Sequence, residues 1–146
     1  MSDEQLIGSL IDTYKTLNMT ILPQFQKDAS GPGSSSLREA IRGLRDDELK
    51  FSQALKVRVT TGQPMPEISK QEQAIIGTES DDDTIAALIS QFGTARESTL
   101  AMLRSVDGRE WDSTEAGPQT LRLIVQDRVA NDQRRLQAMK PPVGGS

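Results

Sequence analysis

Histidine and cysteine are both absent from the 146 residues, and aromatic side chains make up only 3% of them. Without histidine there is no Ser-His-Asp triad, no imidazole general base and no His-ligated metal. Without cysteine there are no disulfides, no thiol nucleophile and no thiolate metal site, a pattern compatible with the cytoplasm. Acid-base chemistry would fall to Asp, Glu, Lys or Tyr14 with a pKa moved by burial. No apolar run approaches the about 20 residues that cross a bilayer, and Asp3 and Glu4 stand where a signal peptide carries basic residues. The expectation is a chain without leader or membrane span. Phosphate-cradling GxxxxGKS/T, dinucleotide GxGxxG and nucleophile-elbow GxSxG patterns are missing as well. A net charge of −4 and a pI near 4.9 supply no attraction for nucleic acid. The sequence therefore calls for no cofactor.

What remains is an aliphatic, helix-forming chain, and 146 residues suit one domain with a real core. Four amphipathic stretches read as helices. The first runs from Asp3 to Leu22 with Leu6, Leu10, Tyr14, Leu17 and Ile21 on one face, and Pro23 is expected to end or kink it. After the turn-like DASGPGSS of residues 28–35, Ser36 and Glu39 fit a capping box opening a second helix to Val59, with Leu37, Ile41, Leu44, Phe51 and Leu55 inward. The connection from Thr60 to Asp82 is too long for a hairpin, although Ile68–Ile76 could form a short helix. Its length lets helices two and three run parallel. Asp81, Asp82 and Asp83 offer an N-cap and favourable dipole charge to a third helix, Thr84 to Val106, with Ile85, Ile89, Phe92, Leu103 and Val106 inward. Trp111 lies in the loop before the last helix, Thr120 to Lys140. These elements predict an all-α four-helix bundle over residues 1–140, and the 141–146 tail PPVGGS is expected to be flexible.

Three of the four apolar stripes are interrupted. Glu48 falls in the second, Arg96 in the third and Asp132 near the centre of the fourth, with Arg128 and Arg135 beside it and Asn131 on the shoulder of Arg135. An unpaired buried charge is costly, so residues of opposite sign on three helices suggest either a salt-bridge network fixing helix register, with Asp47, Glu48, Arg96, Arg128 and Asp132 as its candidate members, or a polar pocket that holds a ligand.

The segment Ser36–Glu48, SLREAIRGLRDDE, resembles the second helix of the DinB-like family. Trp111–Gln137 resembles that family's ending, a tryptophan-bearing loop, a glycine and a T-L helix closing in H-D-x-x-H-L. The resemblance implies up-down-down-up topology and a homodimer. It also implies three metal-binding histidines, holding zinc or nickel, at the positions of Gly43, Asn131 and Arg135. Gly43 has no side chain, Asn131 is a poor ligand for either metal, and Arg135 brings a positive charge. Glu48 and Asp132 match the family pattern.

Three functions follow, and the first leads. The chain is a non-catalytic structural or interaction bundle that has lost its metal, more readily no enzyme than an enzyme. Alternatively it binds a small anion or carboxylate at the former metal pocket through Arg135 and Asn131, unless Arg135 instead reaches across to Asp47 or Glu48 and closes that space. The third possibility is an enzyme using Asp47, Glu48 or Asp132 as general base.

Overall fold

In the computed structural model, residues 2–27, 34–66 and 84–139 are described. They form a four-helix bundle, and no strand occurs among them. Helix α1 (Asp3–Thr16) opens with a capping box: the Ser2 hydroxyl accepts from the Gln5 N–H, and the Gln5 side chain accepts from the Ser2 N–H. Asp3 and Glu4 in its first turn complement the helix dipole. The rod does not stop at Pro23. It passes through a π turn (Leu17–Ile21), where the Leu22 N–H reaches the Leu17 carbonyl, into α2 (Leu22–Lys27). A proline inside a helix lacks one N–H and crowds the carbonyl four residues back. The wider turn immediately before it is where that misfit is absorbed.

Helix α3 (Ser34–Thr61) begins earlier than the sequence suggests. Ser36 lies within it rather than capping it, and Glu39 pairs with Arg42 one turn on, at 2.9 Å. Gly62, with φ of 72°, ends the helix in the left-handed conformation that glycine adopts without penalty. Helix α4 (Ile85–Ser105) is capped by Thr84, whose hydroxyl accepts from the Ala87 N–H at 3.0 Å, so the cap is not supplied by the acidic run. Asp81, Asp82, Asp83, the Ile68–Ile76 segment and the 141–146 tail lie outside the described residues. A 3₁₀ turn (Gly108–Asp112) folds Trp111 inward before α5 (Leu121–Met139), which Thr120 caps through the Leu123 N–H.

Side-chain pairings show how the helices run. Arg45 meets Gln91, and Glu48 meets Arg96 and Thr99, so α3 and α4 point the same way. Asp3 meets Arg122, and Thr13 meets Asp132, so α1 and α5 also share a direction. Leu10 and Tyr14 of α1 meet Arg96 and Gly93 of α4 in the reverse order, which sets the two pairs antiparallel. The interior has two apolar layers. One gathers Leu6, Leu10, Leu55, Leu100, Trp111 and Val125, and the other Leu17, Ile21, Ile41, Leu44, Leu88 and Phe92. Along every long helix the boundary between the two layers falls at a polar residue: Thr13, Glu48, Arg96 and Asp132.

No helix among the described residues is long and apolar enough to cross a membrane.

Candidate functional site

The centre of that polar layer is Arg96, 1% exposed. It occupies the α4 stripe position between Phe92 and Leu100, so the regular turn of the helix aims it into the core. One edge of the guanidinium, Nε and Nη2, donates to the two Glu48 carboxylate oxygens at 2.9 Å each. The other edge donates to Asp132, from Nη1 at 2.8 Å and from Nη2 at 3.2 Å. The remaining Nη1 proton goes to the Leu10 carbonyl at 2.9 Å. An arginine has five N–H donors in a fixed fork, and here all five are used.

The carboxylates are equally occupied. Glu48 also accepts from the Thr99 hydroxyl at 2.8 Å and from Arg128 at 3.2 and 3.3 Å. Asp132 accepts from the Thr13 hydroxyl at 2.8 Å. Arg128 in turn lies over the Phe51 ring, 4.6 Å from its centre, and Arg96 lies 4.8 Å from that of Phe92. Two negative and two positive side chains thus balance in one layer contributed by all four long helices. Burial pushes the Glu48 pKa upward, but the charges of Arg96 and Arg128 and the hydrogen bonds from Arg96 and Thr99 outweigh it and hold the group below the usual 4.5. The pKa of Arg96 is lowered by burial and raised more strongly by Glu48 and Asp132, so its charge is permanent.

Of the three positions that the resemblance assigns to metal, Gly43 and Arg135 lie side by side, and Asn131 lines a different space. Arg135 turns to α3 and donates to Asp47, with both partners about a third exposed. Its Nη1 lies 3.5 Å from where a Cβ on Gly43 would stand, so the arginine borders the space left by the missing side chain. Asn131 instead lines a groove between α3 and α5. Asp47 belongs with Arg135 at the surface and takes no part in the buried layer, whereas Glu48, Arg96, Arg128 and Asp132 all do. Among the described residues no three acidic side chains converge in a way that could hold a metal ion.

The groove has a volume of about 690 Å³. Its lining combines apolar side chains, Phe51, Met65 and Ile124 among them, with three cations, Arg58, Arg128 and Arg134. Pro64, just beyond α3, and Gly117 also line it, with Pro64 lying 3.8 Å from the position of a Cβ on Gly117.

Sequence reasoning missed Thr13, Thr99 and Arg58. The two threonines sit on the same stripes as Leu10 and Arg96, a signal visible in the spacing, but a threonine there reads as ordinary packing. Arg58 gives no such signal, because an arginine near a helix C-terminus is already explained by the helix dipole.

Comparison of the chain with protein-family models, with curated proteins and with solved structures gives no match.

Proposed function

We propose that the protein is a non-catalytic structural or interaction bundle, a divergent relative of the DinB-like family in which the metal centre has been given up. The observation that carries this reading is Arg135. It stands at one of the three expected donor positions, bonds Asp47 across the helix pair, and borders the space beside Gly43. A guanidinium cannot donate a lone pair to a metal, and its charge opposes a cation. The buried acids favour a structural role too. Glu48 and Asp132 are 0% and 1% exposed and are held by arginines, so neither is placed to take a proton from a substrate.

Asp47, the remaining candidate base, is ion-paired with Arg135. That same pair opposes the alternative of anion binding at the former metal position, since Arg135 is already neutralised there. A homodimer, implied by the resemblance, belongs to this proposal, and sedimentation analysis checks it.

Calorimetric titration with zinc and with nickel tests the central point. The natural chain is expected to bind neither at micromolar concentration. Stoichiometric zinc or nickel on the natural chain would overturn the proposal.

A further inference from the structure

Arg58 is out of keeping with the other buried charges. It is only 8% exposed, yet it has no hydrogen bond or ion pair among the described residues, whereas Arg45 and Arg96, similarly buried, are bonded to carboxylates. A guanidinium this enclosed, with no partner among the described residues, keeps its charge hydrated only through the space its nitrogens face. None of its nitrogens is sealed off without a bond, so the guanidinium reaches open space, and Arg58 lines both the groove between α3 and α5 and a smaller cavity beside Glu110 and Glu115.

Arg128 stands in the lining of the groove. Its Nε and Nη2 are committed to Glu48, and its Nη1 makes no hydrogen bond among the described residues. The Glu48 contact and the Phe51 ring fix the side chain in place, so this free edge is held in position ahead of any ligand. Arg134 adds a third cation at the exposed rim, and Asn131 an amide. Asp127 is the one acid in the described lining, and it accepts from Gln119 at 3.3 Å.

We infer that this groove binds a small organic anion with an apolar body, of the medium-chain carboxylate class. The head group bonds Arg58 and the free edge of Arg128, and the body lies against Phe51, Met65 and Ile124. The chemistry fits on both sides. Guanidinium groups pair with carboxylates in a forked geometry, and an aliphatic chain covers the apolar part of the lining. The site is separate from Gly43 and Arg135, and it goes beyond the structural role proposed above, which stands or falls on the zinc and nickel titration.

Calorimetric titration of the full chain with octanoate at fixed ionic strength, with acetate and 1-octanol as comparisons, tests the inference. Octanoate should bind with one-to-one stoichiometry, at least tenfold more tightly than either comparison compound. Arg58→Met should weaken octanoate at least tenfold while leaving the melting temperature unchanged or higher, because no native ion pair is lost. Arg134→Met, at an exposed position, should weaken it severalfold, and Arg135→Met should not change it. The inference is overturned if octanoate does not bind, if octanol binds as well as octanoate, or if Arg58→Met and Arg134→Met both keep full affinity.

Discussion

At the scale of single residues, the interior is governed by how completely each charge is answered. A buried ion pair gains little over well-packed apolar side chains, because desolvation cancels most of the attraction. Removing one member is another matter, since the charge it leaves behind is stranded. Glu48 makes this measurable through pH. Its folded pKa lies below the ordinary value of 4.5, so folding favours its ionised form. The stability it contributes is fully present above about pH 4.5. It is lost progressively as pH falls from there through the lowered value. Urea unfolding between pH 6 and pH 3 should therefore show a decline that is shallower in Glu48→Gln, with that variant less stable than the natural chain at pH 6. Equal slopes for the two proteins would remove Glu48 as the source.

At the scale of elements, helix contacts depend on particular small and large residues. Tyr14 of α1 lies so close to α4 that a Cβ on Gly93 would fall 2.3 Å from its ring. Gly93→Ala should accordingly cost about 1–3 kcal/mol through overpacking. Tyr14→Leu in the same background should recover part of that loss, and thermal melts of the four proteins decide it. A simple propensity gain from the alanine, without interaction with position 14, would contradict the contact.

Periodicity made most of the elements legible. The stripes Leu6–Leu10–Leu17 and Ile85–Ile89–Phe92 repeat at helical spacing, and α4 starts and ends within a residue of expectation because Thr84 and Val106 bound it. The misjudged ends have local causes. Pro23 reads as an end or a kink because a regular α-helix lacks its N–H bond there, and the π turn before it is what lets the rod continue. Ser36 with Glu39 has the spacing of a capping box, but spacing does not reveal whether the chain is already helical, and here it is.

At the scale of the whole molecule, the polar layer joins all four long helices through directional hydrogen bonds rather than through apolar contact alone. It lies between two apolar layers, so a slip of α3, α4 or α5 along its axis would carry a charge into one of them, and a slip of α1 would break the bonds from its Leu10 carbonyl and Thr13 hydroxyl. The network thereby selects one register among those that apolar packing alone would tolerate. Three of its helices were identifiable from Glu48, Arg96 and Asp132, each an exception within an apolar stripe. The contribution of α1 was not, because it comes through the Leu10 carbonyl and the Thr13 hydroxyl, neither of which departs from a helical pattern. The separation of Asn131 from the Gly43–Arg135 contact was also hidden. Residues four apart share a helix face, but the face is wide enough for one to line a groove while the other crosses to Asp47.

A double-mutant cycle on Glu48→Gln and Arg96→Met, followed by urea unfolding at neutral pH, bears most directly on this account. Each single change should cost about 3–5 kcal/mol, because each leaves an unanswered charge in the core. The double variant should be more stable than the sum of the two predicts, by at least about 1 kcal/mol. Additive losses, with coupling no larger than about 0.5 kcal/mol, would contradict the claim that the buried charges act as one network holding the four helices in register.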